Sequence, residues 1–598
     1  MKEIAVRSTQ SQETGTSLFG WPGSNDGWSA SFSKPSSILT AKHLDEVIPL
    51  LHCAEKAALA GNYVAVLLCY EAAPVFDRAF LTNSSLTLPL AWAAVFPSVS
   101  ESGLPLHGGS YSAGEWSTHI SRAAYDTAID RIRELIAAGD TYQVNFSIPL
   151  NSVFSGDSLA WYHDLCLAQG AQFSAFLDIG DHQILSLSPE LFFERYGSSI
   201  RARPMKGTIK RGRWLVEDEA LASWLATSSK DRAENVMIVD LLRNDLGKVS
   251  VNGSVSVKSL FDIERFETVW QMTSTVESIL KPEIGLVDLM RALFPCGSIT
   301  GAPKIRTMEI IRELEPNARG VYTGTIGLLR PGGDCTFNVA IRTVVLDKTT
   351  GEATFGVGGG ITIDSTADRE YEECMSKARF LDTKPKVFNL FESILLEDGE
   401  YFLADMHLQR LRDSAQYFAF KFPETEITSK LAALRYVHRE GSWKVKVTLH
   451  RDGDVSFACG GLAPLYDSAT ANDRFQILEL SRSAVDSSDR YLFHKTTLRD
   501  FYNSELHAHP DCDDVLFYNE RGEVTESTIA NVVVELDGKF VTPLVTAGLL
   551  AGTFRNKLLA NGEIEEQTIK IADLKRASQI FLINSVRKWM GATMSDEL

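Results

Sequence analysis

The sequence predicts an α+β protein built from two large domains. Three observations lead there. At 598 residues the chain exceeds what a single hydrophobic core serves. Strand-like alternation and helix-like 3.6-residue periodicity both recur along it. The short, polar, proline-broken stretch Asp382-Thr-Lys-Pro-Lys386 separates two different patterns. Hydrophobic residues make up 44% and charged residues 23%, which excludes disorder, collagen and a disulfide scaffold. No apolar run reaches the roughly 18 residues of a membrane span, and the N-terminus lacks a signal-like apolar core, so a cytoplasmic location is expected. The net charge of −18 argues against a broad grip on nucleic acid or an anionic membrane. The eight cysteines form no CxxC pair, so neither zinc nor a disulfide framework is signalled.

Taken in order, residues 1–45 read as irregular and strand-like, 43–61 as a helix, and 62–120 as short strands, one ending at Tyr70-Glu71. Residues 121–139 form an amphipathic helical pattern stopped by Gly139-Asp140. Strand-like runs follow near 143–153 and 183–196, then a helix at 229–244. Pro303 opens another helix, with Ile305, Met308, Ile311 and Leu314 on its apolar stripe. Runs near 321–330, 336–347 and 353–363 read as a β-meander, and 366–381 as a helix. Beyond the junction come a strand, a turn at Asp398-Gly399, a strand and a helix at 406–419.

Two groups of residues carry chemistry. In the first part, Asp231 and Glu234 fall on one helix face, and Glu370, Glu373 and Lys377 on another. Such carboxylates are either a solvated surface or ligands for a hard cation such as Mg²⁺. Ser298–Lys304 leads into a helix N-terminus, where free N–H groups suit an anion. Phe355–Ile361 is rich in glycine and lets backbone approach a ligand, though no G-x-G-x-x-G opens a helix there. Lys206 in Arg203-Pro-Met-Lys-Gly-Thr208 is a turn residue if exposed and a nucleophile if buried.

These segments, with Gly139–Asn145, Leu187-Ser-Pro-Glu190, Lys230–Asn235 and Asp240–Asp245, resemble the chorismate-utilising enzymes over about 120–381. The resemblance implies an antiparallel β-sandwich with outer helices. It also implies Mg²⁺ on Glu234 and Glu373 beside Asp231 and Glu370, Glu190 as general acid, and Lys206 as covalent nucleophile. Gln143, Thr300, Gly301, Tyr322, Arg342, Gly356, Gly358 and Lys377 would bind chorismate. Within that family, Pro-x-Lys-Gly-Thr is similar to aminodeoxychorismate synthases, whereas anthranilate synthases carry Pro-x-Ala-Gly-Thr. Gln143 stands where the isochorismate and salicylate branch has a lysine base. No cysteine sits in a glutamine-amidotransferase elbow, so ammonia is expected from a separate amidotransferase subunit.

In the second part, Lys495 lies in Phe493–Arg499, and Glu526 in Val524–Asn531. Arg410 sits on a helical pattern, Gly552-Thr553 enters one, and Ser585 follows a strand-like run. Alone, Lys495 reads as a surface residue and Glu526 as an edge charge. In this order they resemble the fold-type IV pyridoxal-phosphate enzymes over 387–598, a two-lobed α/β family with branched-chain and D-amino acid aminotransferases and aminodeoxychorismate lyases. The resemblance makes Lys495 the Schiff-base lysine and acid/base. Glu526 becomes the partner of the ring nitrogen, and Arg410, Gly552, Thr553 and Ser585 the phosphate site. A homodimer through this part is expected on the same ground.

The family's N-terminal hairpin looks shortened here, which leaves room for a segment from elsewhere in the chain. Consecutive chemistry on one chain favours a bifunctional route from chorismate through 4-amino-4-deoxychorismate to 4-aminobenzoate, as used for folate. The alternatives are an anthranilate synthase component joined to an aminotransferase, or a C-terminal module without catalysis that regulates or binds the amidotransferase. A tryptophan-type regulatory pocket in residues 1–110 is a further possibility that no motif settles.

Overall fold

The computed structural model describes residues 15–21, 28–83, 87–100, 109–462 and 475–595, so the first fourteen residues of the expected irregular segment lie outside the description. The chain divides into two compact units. One comprises the residues up to Lys210 with Ala222–Pro385, and the other Arg211–Leu221 with Lys386–Leu598.

Two sheets organise the first unit, and every strand pairing in them is antiparallel. In the first, Gln143–Gly156, Glu352–Ile361, Thr343–Asp347 and His182–Ser188 lie side by side. In the second, Met205–Lys210, Val269–Ile279, Ser199–Arg203, Leu191–Tyr196, Cys335–Val339 and Thr325–Leu329 do so. One apolar cluster takes Phe19, Phe173 and Ile184 from the first sheet and Leu67, Trp92 and Ile326 from the second. The opposite face of the first sheet is covered by Arg122–Ala137, Ser158–Gln169, Lys304–Leu314 and Ala367–Ala378. Leu44–Leu59, Ser229–Val249 and Leu286–Leu293 cover the second. The expected helices thus form, because each carries an apolar stripe that a sheet face buries.

Several expectations need correction. Residues 183–196 form two strands, His182–Ser188 and Leu191–Tyr196, in different sheets. The expected β-meander is broken: Thr325–Leu329 pairs with Cys335–Val339, but the chain then changes sheets, and Thr343–Asp347 pairs with Glu352–Ile361. Arg342, at φ 52, makes that crossing. On Lys304–Leu314 the buried face is Thr307, Met308, Ile310 and Ile311, while Ile305 is 42% exposed. Ser158–Gln169 and Leu215–Thr227 are helices that the sequence reading left out.

In the second unit, Leu390–Glu397 turns through Asp398 and Gly399, both at positive φ, into the two-residue strand Glu400–Tyr401. The turn suits a tight hairpin. Leu390–Glu397, Ser442–Leu449 and Val455–Gly461 pack with Ala404–Phe418 and Glu424–Val437 around Phe388, Leu411, Phe418 and Val445. An eight-stranded sheet with both parallel and antiparallel pairings forms around a separate core of Leu516, Val532, Val534 and Leu582.

Candidate functional sites

The first site gathers at the glycine-rich end of Glu352–Ile361. A Cβ placed on Gly360 would fall 1.9 Å from Gln143 Nε2 and 3.2 Å from Lys206 Nζ. One on Gly359 would fall 2.9 Å from Glu370 Oε2 and 3.9 Å from Glu373 Oε1. Only glycine lets these groups converge on the strand. Gly359 and Gly360 were not singled out from the sequence, although period-two alternation puts Gly358 and Gly360 on one face. Gly356 lies apart from them: its Cβ would meet the Tyr322 ring at 2.2 Å.

Lys206 enters on Met205–Lys210. Burial lowers its amine below the ordinary lysine value, against the pull of Glu234 and Glu190. Glu190, 4% exposed, accepts a hydrogen bond from Ser298 Oγ at 2.8 Å. Burial raises its carboxyl to about 7, opposed by that bond and by the charge of Lys206. Gln143 is buried, and its Oε1 has no partner among the described residues. An orphaned acceptor beside an amine is what a bound polar molecule would satisfy. Lys377 donates to the Gly358 carbonyl at 2.8 Å and pairs with Glu373 at 2.7 Å. Arg342 donates to Gln169 Oε1 at 2.7 Å, and burial lowers it to about 10. Thr300 gives its hydroxyl to the Cys296 carbonyl at 3.1 Å. At Gly301, φ is +132, and a Cβ would strike the Gln143 carbonyl at 2.1 Å. Thr300 and Gly301 therefore shape the wall that carries Gln143.

The four carboxylates expected to hold Mg²⁺ feel one another. Glu234 is raised first by burial and then by the charges of Asp231 and Glu373, against Lys206 and Lys230. Glu370 is raised by burial and by Glu373, and it accepts from Ser365 at 2.7 Å. Asp231 accepts from Ser228. Hard oxygen donors with mutual repulsion fit a divalent cation in kind. Among the described residues no three acidic, histidine or cysteine side chains gather to hold a metal by themselves, and Lys377 pairs with Glu373, so these carboxylates fit Mg²⁺ only as the one or two ligands it takes beside water and substrate oxygens.

The second site is an open cavity lined by Arg410, Lys495, Glu526, Gly552, Thr553 and Ser585, all six expected from the sequence, together with Asn531 and Thr528. Lys495 Nζ stands 5.0 Å over the Phe391 ring. Burial, then the like charge of Arg410, lowers its amine to about 8. Glu526 accepts from Tyr502 Oη at 3.0 Å and from the Leu550 N–H at 3.2 Å, and burial raises it to about 7. Gly552 precedes Thr553–Ala560 and cannot bear a side chain, since a Cβ would meet Asn531 Oδ1 at 2.1 Å.

One group was missed from sequence. Glu392, 1% exposed, takes both Arg410, at 2.7 and 2.8 Å, and His407 Nδ1, at 2.7 Å. Burial works against its charge, but Arg410 and His407 hold it well below the usual carboxylate range. His407 Nε2 reaches Thr553 Oγ1 at 3.2 Å. Arg410 is therefore not a loose cation but the outer member of a braced triad. Its only sequence signal is Glu392 inside a largely apolar strand. The lowered amine of Lys495 and the buried carboxyl of Glu526, lining one cavity with Thr553 and Ser585, fit a pyridoxal phosphate molecule.

The family model for chorismate binding enzymes matches residues 66–383, and that for class IV amino-transferases matches residues 389–594. Aminodeoxychorismate synthase component 1 of Bacillus subtilis is 42% identical over 45% of this chain and 56% of its own length. Anthranilate synthase component 1 of Thermus thermophilus is 40% identical over 44% of this chain and 56% of its own length. The chain thus spans little more than half of either relative. The anthranilate synthase component I structure from Streptococcus pneumoniae superposes with a TM-score of 0.50 over 64% of this chain and 95% of its own, at 24% identity, which speaks to the fold alone. Among the described residues no helix is long and apolar enough to cross a membrane.

Proposed function

Because the chain belongs to the chorismate binding enzymes and carries a class IV amino-transferase domain behind that match, we propose that it converts chorismate to 4-amino-4-deoxychorismate and then to 4-aminobenzoate. The first domain, expected over residues 1–381 with its chorismate-binding core at about 120–381, is read as a β-sandwich with outer helices, although Arg211–Leu221 within those bounds groups with the second unit. The second domain, expected over 387–598 behind a linker at 382–386, is read as a two-lobed α/β domain. The observation that carries the reading is Lys206: a half-buried lysine with a lowered amine near Glu190 and Gln143, in the Pro-x-Lys-Gly-Thr sequence that resembles the aminodeoxychorismate type.

In the first step Glu190 protonates the departing 4-hydroxyl, which leaves as water while Lys206 Nζ bonds to C2. Ammonia, supplied by a separate glutamine amidotransferase, adds at C4, and the C2–N bond to Lys206 breaks. Glu234 and Glu373, with Asp231 and Glu370 alongside, would hold Mg²⁺, whose charge steadies the ring carboxylate. Arg342, Tyr322 and Lys377 orient the substrate's anionic groups beside the Gly356–Gly360 backbone.

In the second step the Lys495 amine carries the proton between substrate carbon atoms, and Glu526 would hold a proton at the cofactor's ring nitrogen. Thr553, Gly552 and Ser585, with Arg410 behind them, would hold the cofactor's phosphate. Pyridoxal phosphate, when bound, supplies the electron sink that lets pyruvate leave.

Anthranilate synthases match nearly as well as aminodeoxychorismate synthases, so an anthranilate-forming first unit is the second reading. Lys495→Ala separates the two steps. On the proposed reading it leaves chorismate consumption intact, with aminodeoxychorismate accumulating and 4-aminobenzoate lost. Continued 4-aminobenzoate formation would rule out the second assignment.

A further inference from the structure

The second unit is not one stretch of chain: Arg211–Leu221 belongs to it along with Lys386–Leu598. This short segment is rigid by construction. Arg211 Nε and Nη2 both reach Asp218 at 2.7 Å, and the Gly212 N–H donates to the same carboxylate at 2.9 Å. Arg213 closes a second ring on Glu217, through its backbone N–H at 2.6 Å and its side chain at 2.9 Å. Two closed arginine–carboxylate rings over eight residues leave the backbone little freedom.

That rigid segment grips the residues just before Lys495. The Arg213 carbonyl meets His494 Nε2 at 3.1 Å, and the Trp214 ring lies 5.0 Å from the Phe493 ring. The Arg213 guanidinium covers both rings, at 4.8 and 5.1 Å. Tyr417 donates to the Gly212 carbonyl at 2.6 Å, Arg211 donates back to the Tyr417 carbonyl at 3.0 Å, and the Tyr417 and His494 rings are 4.5 Å apart. A carbonyl only accepts, so His494 Nε2 carries the hydrogen, and Nδ1 accepts from Ser414 Oγ at 2.9 Å. Burial lowers His494 to about 3, so the ring stays neutral and this arrangement holds at working pH. On the other side of Lys495, its carbonyl accepts from the Phe391 N–H at 3.0 Å.

We infer that Arg211–Leu221 is a positioning strap: through His494 and Phe493 it fixes where the Lys495 amine stands in its cavity. The inference rests on the reading of Lys495 as the cofactor lysine. Trp214 and His494 act through Lys495 and touch no expected ligand themselves.

The test uses the full chain without cofactor. Reactivity of Lys495 toward a small acylating reagent is followed against pH by peptide mass spectrometry, and binding of pyridoxal phosphate by absorbance. The groups facing the amine are Arg410, Glu392, Arg499, Glu526 and His407, none of them altered in the variants. Wild-type reactivity should have its midpoint near 8. Trp214→Ala should move the midpoint toward the ordinary lysine value of about 10.4 and weaken cofactor binding by about tenfold or more, with chorismate consumption unchanged. Trp214→Phe should restore both.

His494→Asn, which keeps the Ser414 contact but cannot reach Arg213, should behave like Trp214→Ala, and His494→Gln like the wild type. This second pair decides the matter if Trp214→Ala does not fold. Folded Trp214→Ala or His494→Asn protein with wild-type midpoint and cofactor affinity would overturn the strap. Wild-type protein that binds no pyridoxal phosphate at Lys495 would overturn the cofactor reading instead. The amine midpoint needs no cofactor and still judges the strap.

Discussion

Glu190 is where single-residue physics bears most directly on rate. A carboxyl in water is ionised above about 4.3 and cannot act as an acid at neutral pH. Burial lifts Glu190 to about 7 and keeps a proton available there. As the proposed general acid it works in its protonated form, so kcat/KM for chorismate amination should fall as pH rises through 7. Glu190→Gln should remove that limb and lower the rate by about 10²–10⁴-fold. A pH–rate profile of both proteins checks this, and a limb that survives in Glu190→Gln belongs to another group. The carboxylates of Ser229–Val249 and Ala367–Ala378 make a second residue-scale claim. Glu234→Gln or Glu373→Gln should raise the Mg²⁺ concentration needed for half-maximal amination by at least about tenfold and leave the pyridoxal step unchanged. Titration of activity with Mg²⁺ after chelation reads this directly, and an unaltered requirement would remove both as ligands.

At the scale of elements, the strand Glu352–Ile361 does the assembling, because Gly359 and Gly360 admit side chains from three other segments. Gly360→Ala would drive a methyl group into Gln143 Nε2 and against Lys206. Displacing both should cost about 2 kcal/mol, or roughly thirtyfold in the amination rate, while lyase turnover is untouched. Separate assays with chorismate and with aminodeoxychorismate test the split.

The same scale shows what the sequence discloses. Ser229–Val249, Ala367–Ala378 and Ala404–Phe418 were legible because their charge spacing and apolar stripes repeat at helical period. The sheet change at Arg342 was not. Alternation along 336–347 reports which face a side chain takes, not which sheet the strand joins. Ile305 sits in phase with Met308, yet neighbouring elements bury Ile310 and Thr307 instead, which periodicity alone cannot foresee. Most first-site residues were legible as motifs. Ser298 and Gly360 became visible as site residues only through their neighbours at 2.8 and 3.2 Å. The Glu392–His407–Arg410 group was illegible for the same reason: its members are 15 and 18 residues apart and meet only through packing.

At the scale of the whole molecule, the two proposed chemistries share one intermediate. The net charge of −18 does not help to collect an anionic substrate, so on the proposed reading binding would fall to local cations: Arg342 and Lys377 in the first unit and Arg410 in the second. The most direct test is product identity. The purified chain would be incubated with chorismate, Mg²⁺, an ammonium salt and pyridoxal phosphate, and the aromatic products separated and identified. The account predicts 4-aminobenzoate with one equivalent of pyruvate. Anthranilate in its place would contradict it, demote Lys206 to a structural lysine and leave the second unit without its substrate.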